Sequence, residues 1–270
     1  MSDFITECPE INNVDDARNL IKKLESQSKK VLFRGHSDAK WKLLPSAERN
    51  NKVLIDEKAE LDKFKRTILA ISEKHKDNEY FREFGLSDFS LFALAQHYKL
   101  FPTRFLDWTD QILIALFFAC NDNLLLDGCI WMFSVPDNSN LCWRIRERND
   151  DPLAYTQLKI FFVPFFVDEW REKIENKTLG NRRPQVQRSI MTIHPKEGNN
   201  YKGLDELIEG TMLSQIIIPA QSKESILKIL SEEYFINSDT ILNGKTAQDI
   251  ESEQAWKLIL QKNIAQPCKI

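Results

Sequence analysis

The sequence predicts an α+β fold, a single domain with a helical N-terminal half and a mixed or antiparallel sheet. Two observations lead to this prediction. Apolar residues recur every three or four positions at residues 13–24 and 56–74, which is typical of helices with one buried face. Short apolar runs at residues 128–135, 189–194 and 213–219 end at or just before proline, as strands often do. Since helices and strands do not alternate regularly, a parallel sheet of βαβ units is not expected.

The composition is that of a soluble globular protein. Of the 270 residues, 42% are hydrophobic and 29% are charged, and the net charge of -3 gives no general attraction to nucleic acid or membrane. The longest apolar run is far shorter than the ~20 residues that span a bilayer, and the first residues do not resemble a signal peptide. We expect a cytoplasmic protein with one domain over residues 1–270. Its core is expected at about residues 20–235, followed by a polar C-terminal extension.

The first half of the chain gives the clearest local signals. Asn13 stands where it can cap the first helix, and the apolar residues 31–35 predict a short strand. A further helix is expected over residues 88–98. Asp110 is expected to cap the apolar helix of residues 111–121, because a side-chain acceptor there can bind the first free N–H groups.

The densest group of polar and aromatic side chains lies in residues 93–108. His97 can hydrogen-bond a ligand or transfer a proton, and Tyr98 can stack on a planar ring. The alternative is a helix end at which His97 binds free carbonyl groups. Arg104 and Asp107 are expected to form a pair, in which the carboxylate orients the arginine.

Arg34 ends the first predicted strand, beside Gly35 and His36. A guanidinium can hold a phosphate through two parallel hydrogen bonds, and a glycine lets a ligand approach the backbone. His36 could donate to the same anion. The alternatives are a structural ion pair between Arg34 and a carboxylate such as that of Asp107, and a solvated His36.

A basic segment follows later, at residues 169–188, with six basic and three acidic residues. Arg182, Arg183 and Arg188 could follow the backbone of a single-stranded nucleic acid, although such a run is also typical of a solvated helix face. The sequence has no P-loop, dinucleotide-binding, α/β-hydrolase or zinc-protease motif. It also has no Cys/His spacing that suggests zinc among its five cysteines.

Several ordered motifs together resemble the FRG-domain family, which is named for a strand ending in Phe-Arg-Gly. The chain has this sequence at residues 33–35. The resemblance is densest at residues 94–98, 102–104 and 106–109, which read Leu-Ala-Gln-His-Tyr, Pro-Thr-Arg and Leu-Asp-Trp-Thr. Further matching positions are Glu60, Phe64 and the segments 187–189 and 192–194.

The resemblance implies a function, because some FRG-domain proteins resemble ADP-ribosyltransferase toxins of antiphage defence. It implies an ADP-ribosyltransferase-like fold and an NAD-dependent enzyme that modifies nucleic acid, RNA more than DNA. A toxin–antitoxin or phage-defence setting follows, with a neutralising antitoxin protein as a partner. NAD is then a substrate, and no metal is expected.

The same resemblance assigns residues to roles. The NAD-binding group is Arg34, Gly35, His36, Arg104 and Asp107. The catalytic group is His97, Tyr98, Gln187 and Glu60. In this interpretation His97 and Tyr98 frame the nicotinamide ribose, Gln187 faces the acceptor, and Glu60 is the candidate for the catalytic carboxylate.

Two other functions stay open at this point. A non-catalytic nucleic-acid-binding module would grip phosphate with Arg34, Arg104 and the arginines of residues 182–188, and its affinity would fall steeply with salt. A metal-dependent nuclease would require a divalent ion. The three hypotheses differ in their dependence on NAD, salt and metal.

Overall fold

The structure is a computed structural model that describes residues 10–26, 31–49, 56–74, 88, 91–92, 95–96, 101–134, 142–143, 159–162, 187–194, 196–197, 200–201, 204 and 213–243. The helices with assigned bounds are α1 (Val14–Ser26), α2 (Ser46–Arg49), α3 (Glu57–Lys74), α4 (Ile112–Cys120) and α5 (Ala220–Tyr234), followed by a π-helical turn at Asp239–Asn243. The described residues between 88 and 96 are also helical. Among these helices, none is both long and apolar enough to cross a membrane.

The strands are β1 (Val31–His36), β2 (Phe105–Thr109), β3 (Gly128–Ser134), β4 (Cys142–Trp143), β5 (Lys159–Phe162), β6 (Ser189–Ile193), β7 (Lys196–Glu197), β8 (Asn200–Tyr201) and β9 (Leu213–Ile218). Seven of them form one sheet in the order β4-β5-β6-β2-β1-β3-β9, and β7 pairs with β8. Neighbours in the large sheet are antiparallel, except for β4 and β5, which are parallel. The prediction of an α+β fold with a mixed or antiparallel sheet is confirmed.

Among the elements with assigned bounds, four of the five helices lie before residue 121 and six of the nine strands lie after residue 141, as the sequence predicts. The centre of the sheet nevertheless comes from the first half of the chain. The strands β2, β1 and β3 lie next to one another in the sheet, and all three come from the first 134 residues. β2 is hard to recognise because it has only five residues and carries Asp107 in the middle. Strand pairing across about 70 intervening residues gives this segment its place, and no local pattern encodes that pairing.

The first helix begins where the sequence predicts. The side-chain Oδ1 of Asn13 accepts a hydrogen bond from the main-chain N–H of Asp16 at 2.9 Å. In return, Oδ2 of Asp16 accepts from the N–H of Asn13 at 3.2 Å. This reciprocal arrangement satisfies N–H groups that have no partner within the helix.

The predicted cap of α4 by Asp110 is wrong. Gln111 occupies the N-cap position and makes no side-chain capping bond. The hydroxyl of Thr109 accepts from the N–H of Gln111 at 3.1 Å. The carboxylate of Asp110 instead lies 2.6 Å from Nη2 of Arg188. Because Ser189 of β6 pairs with Thr109 of β2, the preceding arginine is brought to Asp110.

Helices α1, α4 and α5 cover one face of the sheet. Val31 and Phe33 of β1 belong to this core together with most of α4. Side chains alternate along a strand, so Gly35 lies on the same face. A Cβ at Gly35 would lie only 1.9 Å from the carbonyl oxygen of Ala115, so α4 rests directly on the backbone of β1.

The opposite face of the sheet carries a second core. Leu32 of β1 packs there with Trp108 of β2 and with Leu43 from the segment after β1. By the same alternation, Arg34 and His36 lie on this face, away from α4. The end of this face, at which β1 ends and β2 begins, is where the candidate site lies.

Candidate functional site

Arg34 lies at the point where β1 and β2 separate. The two strands pair at Phe33 and Thr109, and a continued antiparallel register would place Gly35 opposite Asp107. There the carbonyl oxygen of Asp107 accepts a hydrogen bond from Nη1 of Arg34 at 2.6 Å. Where the main-chain pairing of β1 and β2 ends, the guanidinium of Arg34 thus supplies the hydrogen-bond donor for a carbonyl group of β2.

His36 holds another edge of the same guanidinium. Nε of Arg34 donates to Nε2 of His36 at 2.9 Å. Because a guanidinium N–H can only donate, Nε2 accepts, and the proton of the neutral ring is assigned to Nδ1, which lies 3.3 Å from the carbonyl oxygen of Trp41. His36 is only 3% exposed. It thus orients the arginine, which corrects the expectation that it is solvated or donates to a shared anion.

Two tryptophans lie beside this arginine and histidine. Trp131 of β3 is the direct partner of Arg34 in the strand register, so both side chains are on the same face. The indole Nε1 of Trp131 is buried and has no hydrogen-bond partner. Trp41 is 47% exposed, and its ring meets that of His36 edge-on with the centroids 6.0 Å apart. The site therefore combines an oriented cation with aromatic surface.

The carboxylate of Asp107 belongs to a separate network. By strand alternation its side chain lies on the face opposite to Arg34. Its Oδ2 accepts from Nε2 of Gln96 at 2.8 Å, and Oε1 of Gln96 accepts from Oγ1 of Thr103 at 2.5 Å. The other carboxylate oxygen, Oδ1, is buried without a partner. Asp107 thus contacts Arg34 through its main chain, while its side chain ties Gln96 to β2.

Arg104 pairs with Glu57, and not with Asp107 as predicted. Nε of Arg104 lies 3.1 and 3.0 Å from the two carboxylate oxygens of Glu57, and Nη2 lies 2.5 Å from Oε2. The arginine is 4% exposed and the glutamate 3% exposed. The carboxylate of Asp107 is directed to Gln96 instead.

Sequence reasoning did not single out Glu57, the carboxylate that meets Arg104; on this helix it singled out Glu60, as the candidate for the catalytic carboxylate. Both lie in the first turn of α3, but Glu60 is only half-buried. A signal was present, because Glu57 continues the stripe of buried positions at Leu61 and Phe64. A charged residue on an apolar stripe requires a buried partner.

The role of Gly35 also differs from the expected one. A Cβ on this residue would meet the carbonyl oxygen of Ala115 at 1.9 Å and the main-chain nitrogen of Ala119 at 2.6 Å. The space that a side chain would need is thus filled by the backbone of α4. Glycine is required here for the packing of a helix on a strand and not for the approach of a ligand.

Gln187 and Arg188, which were also predicted as site residues, have their hydrogen-bond partners in other parts of the fold. Nε2 of Gln187 donates to the carbonyl oxygen of Ile241 at 3.0 Å, in the turn after α5. Arg188 adopts a left-handed backbone conformation with φ of 46° and pairs with Asp110. Four predicted residues lie outside the described part of the chain: His97, Tyr98, Arg182 and Arg183.

A buried lysine supports the segment that carries Trp41, and sequence reasoning did not single it out. Lys223 of α5 is 0% exposed. Its Nζ donates to the carbonyl oxygens of Ser37 at 2.7 Å, Asn123 at 3.0 Å and Asp122 at 3.3 Å. Burial lowers the pKa of Lys223, and the nearby Cys120 thiol and acidic side chains oppose this effect. The ammonium group thus joins the segment after β1 to the loop after α4.

Cys120 and Cys129 are both buried in the folded protein and keep their protons near neutral pH. Burial raises the pKa of Cys120 to about 12. Burial also raises the pKa of Cys129 to about 11, although a hydrogen bond from Gln215 opposes the change. Neither group is a thiolate near neutral pH, so neither is a nucleophile. Within the described residues, no three His, Cys, Asp or Glu side chains are grouped as metal ligands.

Comparison with known proteins agrees with the motifs around Arg34. The family model of the FRG domain matches residues 29–127, which include β1, α3, β2 and α4. No curated protein and no solved structure matches the chain. The matched residues contain Arg34, His36, Trp41 and Asp107, the groups that meet where β1 and β2 separate. Residues 29–127 of the chain therefore match the FRG domain, in agreement with the resemblance of its motifs to that family.

Proposed function

We propose that the protein is an NAD-dependent ADP-ribosyltransferase that modifies nucleic acid, RNA rather than DNA. In this reaction the bond between nicotinamide and C1′ of the ribose breaks, and nicotinamide leaves with the bonding electron pair. A nucleophile of the acceptor forms the new bond to C1′ and loses its proton to a base. The proposed setting is cytoplasmic, in a toxin–antitoxin or phage-defence system with a neutralising protein partner.

One observation carries the proposal, which is the fixed orientation of Arg34 beside aromatic surface. His36 accepts from Nε and the carbonyl oxygen of Asp107 accepts from Nη1, so the guanidinium plane is set by two hydrogen bonds. A cation that is already oriented loses little conformational freedom when it binds the pyrophosphate of NAD. The half-exposed ring of Trp41 offers a surface on which a planar base can stack.

The other roles are parts of the same proposal. His97 and Tyr98 frame the nicotinamide ribose, Gln187 faces the acceptor, and Glu60 is the candidate carboxylate that stabilises the positive charge at C1′ as nicotinamide leaves. The arginines at 182, 183 and 188 contact the acceptor backbone. An ADP-ribosyltransferase-like fold is proposed with them.

The test is transfer of label from NAD. The purified chain is incubated with NAD labelled in the adenylate phosphate and with RNA, DNA or protein, and nicotinamide release is measured in parallel. The native chain is expected to label RNA. Arg34→Ala is expected to lower transfer by about 100-fold, since one charged contact to the transferred group is lost. Arg18→Ala removes an arginine of the exposed pair with Asp15 and is expected to leave transfer unchanged.

Two results would overturn the proposal. One is no labelled product and no nicotinamide release by the native chain, under conditions in which a known transferase is active. The other is RNA binding that weakens steeply with salt, is lost in Arg34→Ala and does not depend on NAD, which is the behaviour of a non-catalytic module. The fold of each variant is checked by circular dichroism, because Arg34 also joins β1 to β2.

A further inference from the structure

The partly buried Trp131 differs in its hydrogen bonding from Trp108, which is buried. The indole N–H of Trp108 donates to Oγ1 of Thr192 at 3.1 Å, so its polar atom is satisfied within the fold. The indole Nε1 of Trp131 is equally screened from water and has no partner. Buried polar groups are almost always hydrogen-bonded, so an orphaned donor of this kind needs an explanation.

The neighbours of Trp131 do not supply the missing acceptor. Across β3 the register places Arg34 on one side and Gln215 on the other. Arg34 is a second donor. Nε2 of Gln215 is directed to the carbonyl oxygen of Ala39 at 2.7 Å and to Sγ of Cys129 at 3.1 Å. The indole N–H of Trp131 and the guanidinium of Arg34 therefore lie side by side on this face of the sheet, and neighbouring donors are the arrangement that binds an oxyanion.

We propose that the indole N–H of Trp131 and the guanidinium of Arg34 together form a subsite for a phosphate oxygen of the bound nucleotide. This inference rests on the proposed function, because it names the pyrophosphate of NAD as the group that is bound. It adds Trp131 as a ligand-binding residue on β3, beyond the residues matched by the FRG family model. Binding supplies the buried donor with an acceptor that the fold itself does not provide.

The test compares two tryptophan variants by titration calorimetry with ADP-ribose, which carries the pyrophosphate without the leaving group. Trp131→Phe and Trp108→Phe remove the same N–H and the same part of the ring. Trp131→Phe is expected to weaken ADP-ribose binding by about 10- to 100-fold, since one hydrogen bond to a charged group is lost. Trp108→Phe is expected to bind as tightly as the native chain.

The same two variants should rank the other way in stability: Trp108→Phe, which binds normally, is expected to be the less stable of the two. Trp108→Phe leaves Thr192 without its donor, so its urea midpoint is expected to fall. Trp131→Phe removes an unpaired donor, so its midpoint is expected to fall less than that of Trp108→Phe. Equal or greater loss of stability in Trp131→Phe would show that its N–H has a partner within the fold, and would overturn the inference.

Nuclear magnetic resonance gives a direct view of the N–H. The chain has six tryptophans, and the indole signal that disappears in Trp131→Phe assigns that residue. ADP-ribose is expected to shift this signal downfield, as a new hydrogen bond does, while the signal of Trp108 stays in place. Binding by the native chain with unchanged affinity in Trp131→Phe refutes the subsite alone. No binding of ADP-ribose by the native chain refutes the proposed function, and the subsite with it.

Discussion

The buried pair of Arg104 and Glu57 allows a quantitative test of whether Arg104 serves the fold or a ligand. Arg104→Met removes one partner and leaves the carboxylate of Glu57 in a position that is only 3% exposed. Breaking a buried pair in this way costs about 3–5 kcal/mol, because the remaining charge is uncompensated. For a chain of this size, that corresponds to a fall in Tm of roughly 6–20 °C. Glu57→Leu is expected to cost a similar amount.

The double variant separates the interaction from the loss of volume. In Arg104→Met/Glu57→Leu both charges are gone, so no ion is left buried, and stability should return to within about 1 kcal/mol of the native value. The cycle of single and double variants then gives a coupling energy of about 5 kcal/mol or more. The free energies come from urea unfolding followed by circular dichroism and by tryptophan fluorescence.

An exposed pair on α1 is the matched control. Arg18 and Asp15 lie 3.1 Å apart with side chains that are 49% and 78% exposed, and such pairs couple by less than about 1 kcal/mol. If the free energy of unfolding of Arg104→Met lies within about 0.5 kcal/mol of the native value, the structural role of Arg104 is refuted. A loss of ADP-ribose affinity in the stable double variant would show that Arg104 binds the ligand.

Two further predictions concern the contact of α4 with β1 and the buried thiols. Gly35→Ala is expected to destabilise the fold by several kcal/mol, at least about 3, because its Cβ would overlap the carbonyl oxygen of Ala115 at 1.9 Å; a melting temperature equal to the native one would contradict that contact. Cys120 and Cys129, with pKa values raised to about 12 and about 11, are expected to resist iodoacetamide at pH 8 until urea unfolds the chain, as measured by peptide mass spectrometry. Since these thiols hold their protons more tightly in the folded state, their contribution to stability falls as the pH rises from about 9 towards 12. Rapid labelling of either thiol in the folded protein would contradict their burial.

The helices were predicted well because their signal is local. The spacing of Leu61 and Phe64 already indicates the buried face of α3, and Asn13 marks the start of α1 without reference to any distant residue. Arg34 was also located in a short strand by its immediate neighbours, although β1 continues to His36. In each of these cases the relevant physical interaction lies within one turn of helix or one short strand.

The partners of the charged groups were predicted poorly, because they depend on residues that are far apart in the sequence. Arg104 was assigned to Asp107, its neighbour in sequence, whereas its partner Glu57 comes from another element. Asp110 was assigned to the adjacent helix, whereas Arg188 reaches it through the pairing of β2 with β6. Proximity along the chain favoured the wrong partner both times, because the true partners are brought in by tertiary contacts between distant segments.

The sequence by itself determined the match of residues 29–127 to the FRG domain and the α+β class, because these follow from short motifs and local periodicity. The tertiary structure alone decided that His36 and the main chain of Asp107 orient Arg34, and that Gly35 makes room for α4. It also decided that the N–H of Trp131 lies buried and unpaired on the same face. The physical reason is that strand register and face are set by pairing between segments about 70 to 100 residues apart, which no local pattern records.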